Sequence, residues 1–295
     1  MKIYLAPLEG ITTYVFRNAV NACFGGADKF FTPFFSPQTK RHAGSFPMQG
    51  ILPSNNEGLR LVPQMLTDDA EDFLNWERDM HNYGYDEINL NLGCPSGTVV
   101  SKNRGAGALG NPESLDALLD GIYSKTKARV SVKTRLGMHD AEEFYRLLEI
   151  YNQYPMEELI IHARVKDEMY GGHVHRDVYD WAKAHSKNRL VYNGDIFKPG
   201  DVNPADEVIM LGRGMVADPS LARRIKGGPA MTKAEQKEFL RMLKTKYIER
   251  DPDERHCLEK LKEVCSYMGV SKGVMKSKRL EEYQVELDKW MRETD

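Results

Sequence analysis

The chain has 295 residues, of which 41% are hydrophobic and 28% are charged. This length accommodates one large α/β domain with a small appendage, and the apolar fraction is sufficient for a sizeable core. The formal net charge of −2 excludes a strong overall attraction to nucleic acid, so any such contact would depend on local basic patches.

The opening segment, the hydropathy and the cysteines give no sign of export, membrane insertion or metal binding. The opening segment MKIYLAPLEG has no basic region leading into a long apolar run, and no stretch reaches the roughly 20 apolar residues of a membrane span. The cysteines form no CxxC pair, and no histidine cluster has metal-ligand spacing. The sequence therefore predicts a soluble cytoplasmic monomer with no metal, no disulfide and no membrane contact.

Short apolar runs rich in Ile, Leu and Val recur along the chain and mostly lack polar alternation. Such runs are typical of parallel strands that are covered on both faces. The predicted strands are Ile3–Ala6, Lys29–Thr32, Leu61–Met65, Glu87–Asn91, Val130–Lys133, Leu159–His162, Leu190–Asn193 and Val208–Leu211.

Helical stretches lie between these runs. The predicted helices include Asp68–Asn82, Pro112–Thr126, Ala141–Asn152 and Val178–His185. Strand–helix repeats of this kind predict a (β/α)₈ TIM barrel. The second strand has the weakest pattern, and Lys198–Asn203, after the seventh strand, offers little more than a turn.

The repeating pattern ends at the Gly-Gly-Pro segment 227–229. Beyond it the chain has no strand candidate, and apolar residues recur at helical spacing. They are Phe239, Leu240, Leu243, Tyr247, Leu258, Leu261, Val264, Cys265 and Met268. We therefore expect a barrel domain over residues 1–228 and a small all-helical domain over residues 229–295.

The predicted strands end in polar or Gly/Pro-rich segments, which is where an α/β barrel builds its active site. These segments are residues 6–10, Gln64, 91–95, 133–137, 162–164, 193–195 and 212–214. A barrel with a purely structural role would not need polar groups at one end only. The sequence therefore predicts an active site at this end.

Two of these segments, Asn-Gly-Asp at 193–195 and Gly-Arg-Gly at 212–214, follow the seventh and eighth strands. Barrels commonly bind a phosphate there, because glycine lets backbone N–H groups approach an anion closely. One such glycine would more often mark only a tight turn. Two at this location favour a phosphate site.

Cys94 lies in the segment Asn-Leu-Gly-Cys-Pro, just after the fourth strand. A lone cysteine is usually a small buried hydrophobe. On a glycine-flanked active-site turn, however, its thiol can face a ligand, and a reference pKa of about 8.5 keeps it protonated and able to donate a proton. The other cysteines lie on predicted helices and are assigned to packing. The glycine-rich run that follows Cys94 indicates a mobile loop.

Two further strand ends carry titratable side chains. Lys133 ends the fifth strand, and lysine is rarely buried without a partner. It could hold an anionic cofactor ring or form a Schiff base. His162 closes the sixth strand, where it is either a ligand contact or a satisfied core histidine.

Several segments resemble the tRNA-dihydrouridine synthases, and they occur in family order over residues 3 to about 226. The segments are APLEGITTYVFR (6–17), GYDEINLNLGCP (84–95), GAGAL (105–109), VKTRLG (132–137), HARVKDEMYGG (162–172), NGDI (193–196) and IMLGRG (209–214). The cysteine turn and the lysine strand are the specific parts, whereas NGD or GRG alone would be weak. The resemblance covers the whole predicted barrel.

The resemblance implies a barrel that binds FMN, followed by a helical RNA-binding domain. In this family NADPH reduces the flavin, a hydride passes from flavin N5 to C6 of a uridine in tRNA, and a cysteine protonates C5. Carried over to this chain, Cys94 is the general acid. Lys133 is the second catalytic residue, and it favours the negative charge of the reduced flavin.

The resemblance also implies two sets of binding residues. The flavin set is Ala6, Pro7, Leu8, Gln64, Lys133, His162, Asn193, Gly194, Asp195, Gly212 and Arg213. The substrate set is Asn91, Arg135, Arg164 and Tyr170. From the local charge pattern we also expect the basic stretch Lys272, Lys276, Lys278 and Arg279 on the RNA backbone. A second basic group, Arg223, Arg224 and Lys226, ends the barrel. Leu8 replaces the family's usual methionine, which is a mild apolar exchange.

Several alternatives stay open. The chain could be an FMN-dependent barrel oxidoreductase of a small molecule, similar to dihydroorotate dehydrogenase, but this interpretation leaves the GCP turn joined to GAGAL unexplained. It could also be a non-redox barrel, such as a phosphosugar isomerase or a Schiff-base aldolase using Lys133. An RNA-binding protein without catalysis is disfavoured by Cys94 and Lys133. The same chemistry on ribosomal RNA is a further alternative, and the uridine position is not defined by the sequence.

Overall fold

The computed structural model describes residues 1–39 and 45–293. Residues 294 and 295, the end of the predicted helical domain, lie outside the described residues.

The strands form one parallel sheet. They are β1 (Lys2–Leu5), β2 (Lys29–Phe31), β3 (Leu61–Val62), β4 (Gln64–Met65), β5 (Glu87–Leu92), β6 (Arg129–Arg135), β7 (Leu159–His162), β8 (Leu190–Asn193) and β9 (Val208–Leu211). The order of neighbours is β3-β2-β1-β9-β8-β7-β6-β5-β4. Because β3 and β4 are adjacent in the chain, they join the two edges of this sheet into a barrel.

The predicted strand Leu61–Met65 is divided at Pro63 into β3, which pairs with β2, and β4, which pairs with β5. Proline has no N–H to donate to a ladder, so the strand is interrupted there. The Pro63 carbonyl still accepts a hydrogen bond from the Asn89 N–H at 2.9 Å. The two halves therefore act as one strand, and the predicted TIM barrel is confirmed.

The helices are α1 (Tyr14–Cys23), α2 (Phe46–Gln49), α3 (Ala70–Asn82), α4 (Gly97–Val100), α5 (Pro112–Tyr123), α6 (Glu143–Tyr151), α7 (Arg176–His185), α8 (Arg213–Ala217), α9 (Leu221–Ile225), α10 (Lys233–Arg250), α11 (Glu254–Tyr267), α12 (Lys272–Lys276) and α13 (Leu280–Glu293). The four helices predicted by name are present as α3, α5, α6 and α7. Two repeats lack a long helix in the described chain. After β2 there are only α2 and a 3₁₀ turn, and after β8 only the 3₁₀ turn Pro199–Asp201.

Helix starts follow local capping chemistry. The Asp69 side chain accepts from the Asp72 N–H at 2.9 Å and caps α3. The Asn111 side chain caps α5, whose first residue, Pro112, has a backbone angle preset for a helix. Thr232 and Glu235 form a reciprocal capping box at the start of α10. These caps explain why the helices begin where the sequence changes from turn residues to apolar periodicity.

Apolar packing occurs inside the barrel and between its strands and helices. The inner cluster is Tyr4, Ala6, Phe31, Val62, Ile160, Val191, Val208 and Met210. The outer core continues into the C-terminal helices, since Phe16 and Phe24 lie against Phe239 of α10 with ring centroids 5.8 and 5.5 Å away. The apolar core is thus continuous across residue 229, and the division into two domains there stays a prediction.

A polar network fills the end of the barrel where the strands begin. The Lys29 ammonium is fully buried and lies 2.9 Å from a Glu87 carboxylate oxygen and 2.7 Å from one of Glu158. The Tyr4 hydroxyl donates to Glu158 at 2.5 Å. Buried charges are tolerated when they are paired and hydrogen-bonded in this way. This end of the barrel is therefore closed by mutually satisfied groups.

Candidate active site

A cavity of about 900 Å³, open to solvent, lies at the opposite end, where the strands finish. All eleven residues predicted to bind the cofactor line it, together with the predicted residues Asn91, Cys94, Arg135 and Tyr170. Its walls also include residues that had been assigned no individual role from the sequence. These are Glu9, Pro33, Phe34, Gly93, Ile196, Phe197, Met210, Leu211 and Gly214.

The Cys94 turn is held by a relay of side-chain amides. The Asn91 Oδ1 atom accepts from the backbone N–H groups of Gly93 and Cys94, each at 3.0 Å. The Asn91 amide donates to Gln64 Oε1 at 2.7 Å, and Gln64 Nε2 donates to Asn89 Oδ1 at 2.7 Å. Because these buried amides satisfy one another, they fix the direction of the turn that carries the thiol. Asn91 and Gln64 therefore organise the cysteine turn in addition to lining the cavity.

The glycines after Cys94 allow close backbone approach. Gly105 has φ +56°, and a Cβ atom there would lie 2.8 Å from the Cys94 carbonyl oxygen. At Gly107 a Cβ atom would lie 2.7 Å from the Val100 carbonyl oxygen. The Ala106 N–H donates to the Cys94 carbonyl at 3.0 Å. The glycine-rich run predicted a mobile loop, and in the structure Gly105 and Gly107 pack closely against the backbone of Cys94 and of Val100.

The electrostatic surroundings keep the Cys94 thiol protonated. Burial raises its pKa above the usual value, and this effect outweighs the opposing backbone hydrogen bond from Ser96 and the positive charges of Arg135 and Lys133. A half-buried thiol that retains its proton at neutral pH can act as a proton donor. The same positive charges are in place to stabilise the thiolate that such a transfer would leave.

Lys133 reaches the cavity wall without a protein partner. Among the residues that the structure describes, no hydrogen-bond acceptor or carboxylate pairs with its ammonium group. Burial lowers its pKa to about 7, and the positive charge of Arg135 contributes in the same direction. A buried, unpaired ammonium is costly unless a ligand supplies the missing negative charge. The site is therefore complementary to an anionic or hydrogen-bond-accepting ring.

His162 and Tyr170 also line the cavity. Burial and the nearby charges of Arg135 and Lys133 lower the pKa of His162 well below its usual value, so the imidazole is neutral. The Tyr170 ring stacks on His162, with centroids 6.4 Å apart, and the Arg135 guanidinium lies 5.4 Å from its centroid. Arg135 also donates to the carbonyl of Gly93 at 2.9 Å. Tyr170, nearly half exposed, thus offers a flat surface at the cavity mouth.

Arg164 lies behind the cavity lining, which differs from its predicted place at the substrate. Its guanidinium forms an ion pair with Asp195 and donates to the Gly171 carbonyl at 2.6 Å. Arg213 adds a second bond to Asp195 at 2.7 Å and another to the Tyr170 carbonyl at 2.8 Å. Burial would raise the pKa of Asp195, but the two arginines hold it below its usual value. Arg164 therefore positions the loop of Tyr170 and the turn of Asp195.

The two predicted phosphate turns pack directly against each other. A Cβ atom at Gly214 would lie 2.0 Å from the Ile196 carbonyl oxygen, so only glycine allows this contact. Asp195 has φ +34°, a left-handed conformation that turns the chain sharply after Gly194. The Asn193 amide donates to the Met210 carbonyl at 2.9 Å and joins the two strand ends. The turns and Arg213 form one concave wall of the cavity.

The two basic groups differ in their use. Arg223, Arg224 and Lys226 form ion pairs with Glu235, Asp218 and Asp28 respectively. By contrast, Lys272, Lys276 and Lys278 on and after α12 are exposed and have no ion-pair partner in the described part of the chain. Arg279 pairs with Glu282 at 3.2 Å. Of the two groups, Lys272, Lys276 and Lys278 are therefore the side chains whose charge is available to a ligand.

The described residues form neither a metal-binding cluster nor a membrane-spanning helix. Within residues 1–39 and 45–293, no group of three or more His, Cys, Asp or Glu side chains is arranged to hold a metal ion. In the same ranges, no helix is both long and apolar enough to cross a membrane.

Comparison with known proteins identifies the family. A family model for dihydrouridine synthase matches residues 4–289. A probable tRNA-dihydrouridine synthase of Staphylococcus epidermidis is 30% identical over 226 residues, covering 73% of this chain and 69% of that protein. The tRNA-dihydrouridine(16) synthase of Cupriavidus necator is 29% identical over 248 residues, covering 77% of this chain and 74% of that protein.

Among solved structures, TcOYE with pHBA superposes with a TM-score of 0.55 at 10% identity, covering 85% of this chain and 95% of that one. At this identity the likeness supports the barrel fold alone. The family model spans almost the whole sequence and agrees with the motifs at the strand ends. The chain therefore belongs to the dihydrouridine synthase family.

Proposed function

We propose that this flavin-dependent enzyme reduces the C5–C6 double bond of a uridine in tRNA to dihydrouridine, with FMN as cofactor, NADPH as reductant and Cys94 as proton donor. The observation that carries the assignment is the shared cavity of the Cys94 thiol and the unpartnered Lys133 ammonium. The names of the relatives in Staphylococcus epidermidis and Cupriavidus necator support tRNA as the substrate class.

The residues of the cavity fit FMN in kind and arrangement. The concave wall of residues 193–195 and 212–214, with Arg213, suits the phosphate. Ala6, Pro7 and Leu8 offer an apolar surface for the ring, while Gln64 and neutral His162 offer hydrogen-bonding groups at its edge. When bound and reduced, the flavin supplies the hydride that is added at C6 of the uracil. Lys133 would stabilise negative charge on the ring.

The protein's own part in the reaction is proton delivery. The Cys94 thiol gives its proton to C5, and Arg135 and Lys133 stabilise the resulting thiolate until solvent reprotonates it. Asn91 holds the cysteine turn in its reactive direction. A uridine inside a helix cannot reach this cavity, so the base must be flipped out or come from a single-stranded loop. Tyr170 at the mouth is placed to stack on it.

The RNA backbone requires a second, electrostatic contact. Lys272, Lys276 and Lys278 are exposed and unpaired among the described residues, and Arg279 lies beside them. We assign this stretch to the phosphates of the RNA, which would position the substrate without reading its sequence. A monomeric state and a cytoplasmic location complete the proposal.

The test is nucleoside mass spectrometry after incubation of the purified protein with NADPH and either unmodified tRNA or ribosomal RNA. We expect the wild type to form dihydrouridine in tRNA and Cys94→Ala to be slower by about 10²- to 10⁴-fold, the usual contribution of a general acid. Cys23→Ala, which changes a cysteine outside the cavity, is the matched control and should remain active.

Three outcomes would contradict parts of the proposal. A protein purified without flavin that cannot be loaded with FMN would refute the redox chemistry. If a flavin-bearing wild type forms dihydrouridine only in ribosomal RNA, the substrate is ribosomal RNA and the assignment to tRNA is wrong. Full activity of Cys94→Ala, with unchanged flavin content, would remove the proton-donor role.

A further inference from the structure

A second cavity of about 460 Å³, open to solvent, adjoins the active site. We call it the flanking pocket. It is lined by Glu9, Gly10, Thr13, Tyr14, Arg17, Thr32, Pro33, Phe34, Phe35, Pro47 and Gly50. Glu9, Pro33 and Phe34 also line the active-site cavity, so these three residues form the wall between the two spaces.

The floor of the flanking pocket contains an incompletely satisfied cation. Arg17 is fully buried, and its terminal nitrogens donate to the carbonyls of Thr12 and Gly50 at 2.9 and 2.6 Å and to Asn56 Oδ1 at 2.8 Å. Its Nε–H group is buried and has no acceptor in the described chain. A buried donor that has no hydrogen-bond acceptor costs free energy, particularly when it belongs to a charged group. A ligand that brings an acceptor to this point would remove the cost.

The remaining walls favour a flat heterocycle with both donors and acceptors. Tyr14, Pro33, Phe34 and Pro47 provide aromatic and proline surfaces that suit stacking. The Glu9 carboxylate accepts hydrogen bonds but repels phosphate. The occupant near Glu9 is therefore a base edge bearing N–H groups, while Arg17 meets an acceptor.

We propose that the flanking pocket binds the nucleobase next to the target uridine in the RNA. This inference rests on the proposed function, because it assigns to the same substrate a second base beside the one that is reduced. The two cavities share three lining residues and both open to solvent. Neighbouring bases that splay apart in one strand can therefore occupy both. Such a subsite would let the enzyme select a uridine by the nucleotide beside it.

The position of the C-terminal helices favours RNA over a dinucleotide as the source of this base. The Lys260 ammonium of α11 donates to the Gly10 carbonyl at 3.1 Å, at the edge of the flanking pocket. Burial raises the pKa of the Tyr14 phenol, while the positive charges of Arg250 and Lys246 on α10 act to lower it and the negative charge of Glu249 acts to raise it. Lys246 and Lys260 also pair with Glu249 and Glu263 at 2.8 and 3.0 Å, so the phosphates of a strand that leaves the pocket would compete with these two carboxylates for the cations.

The first experiment compares RNA stem-loops in which the nucleotide on the 5′ or the 3′ side of the target uridine is replaced by an abasic unit. For the wild type we expect kcat/KM for dihydrouridine formation to fall about tenfold at one of the two positions, as expected from the loss of one stacked base. Tyr14→Leu should lower kcat/KM about tenfold on intact RNA and show no further loss with the abasic RNA. Tyr83→Leu, a half-buried tyrosine outside both cavities, should behave as the wild type does.

A binding measurement on the wild type keeps the test independent of catalysis and of variant folding. With 2-aminopurine at the sensitive position, we expect its fluorescence to change on binding without NADPH, and the change should be absent with Tyr14→Leu. Tyr14→Leu that remains as sensitive to the abasic unit as the wild type would overturn the inference. So would an unchanged 2-aminopurine signal at both positions.

Two further outcomes separate this inference from the proposed function. If Tyr14→Leu weakens NADPH binding about tenfold during flavin reduction without RNA, the pocket serves the dinucleotide, and the inference is wrong. If the wild type forms no dihydrouridine in intact RNA, the proposed function itself fails. If the wild type is active and its kcat/KM is unchanged by the abasic unit at both positions, only the inference about the flanking pocket is wrong.

Discussion

The two ends of the barrel each contain a lysine on an inward-facing strand position, and the two lysines have opposite surroundings. At the end where the strands begin, Lys29 is enclosed and ion-paired with Glu87 and Glu158. At the end where the strands finish, Lys133 faces a cavity and has no acceptor among the described residues. The fold therefore places the same side chain in a completed network at one end and in an incomplete one at the other.

The difference shows that the hydrogen-bond partners of a buried charge indicate whether it has a structural or a ligand-binding role. A network whose donors and acceptors satisfy one another contributes to the structure and has no need of a ligand. A buried ammonium without an acceptor is retained only if something outside the chain completes it. Arg17 in the flanking pocket repeats this pattern on a smaller scale, because its Nε–H group has no hydrogen-bond acceptor among the described residues. Both of these incompletely satisfied cations lie at the open end of the barrel or beside it.

Replacing each lysine by methionine gives the largest expected contrast. Lys29→Met leaves two buried carboxylates without their central cation, and we expect the free energy of unfolding to fall by about 3 kcal/mol or more. Lys133→Met removes an unpaired charge, so the flavin-free variant should be more stable than the flavin-free wild type near pH 7. Urea unfolding of both variants after flavin removal measures this contrast. Equal destabilisation would mean that Lys133 is as structural as Lys29.

The pH dependence of stability sharpens the same contrast. Burial lowers the pKa of Lys133 from its ordinary value of 10.5 to about 7 in the folded protein. Between pH 7 and 10.5 the unfolded chain therefore binds more protons at this residue than the folded chain does. Its contribution to stability rises with pH through this window and is lost as the pH falls through about 7.

We accordingly expect the stability gap between Lys133→Met and the wild type, both without flavin, to narrow as the pH increases from about 7 to about 10. The slope difference should correspond to at most one proton. Denaturant unfolding at several pH values gives this slope. Parallel pH profiles for the two proteins would show that Lys133 stays charged in the folded state.

Sequence patterns were sufficient for the barrel because parallel strands buried on both faces appear as short continuous apolar runs. They were also sufficient for the cavity, because polar residues at strand ends meet at one edge whatever the details of the packing. The division at Pro63 was visible in principle, since proline interrupts a ladder. Its consequence, two half-strands that close the barrel, depends on pairing with strands on either side.

Other features depend on contacts that no local pattern contains. Lys29 was seen only as the start of a weak strand, because its partners Glu87 and Glu158 lie 58 and 129 residues further along the chain. Arg164 was assigned to the substrate because it lies in a motif of the resemblance (162–172), whereas in the structure its guanidinium pairs with Asp195 behind the cavity lining. Glu9 lay inside a quoted motif without a role, since only the fold shows that it separates two cavities.

The smallest expected effect tests whether paired and unpaired charges differ in the same way on the surface. Lys276→Ala with Lys278→Ala removes two exposed charges that have no ion-pair partner in the described chain, whereas Lys226→Ala removes one that is paired with Asp28 at 2.7 Å. Each phosphate contact contributes close to one unit to the slope of log affinity against log salt. The double variant should therefore lower that slope for tRNA binding by about 1 to 2 and weaken binding severalfold, without changing the rate at saturating RNA.

Lys226→Ala should leave the salt dependence as it is, because the Lys226 ammonium is already neutralised within the protein. Filter binding of tRNA over a range of salt concentrations measures both slopes. If Lys226→Ala lowered the slope and the double variant did not, the RNA would run along the end of the barrel instead of α12. The distinction between satisfied and unsatisfied charge, which separates Lys29 from Lys133 in the interior, would then not extend to the surface, where water can solvate either group.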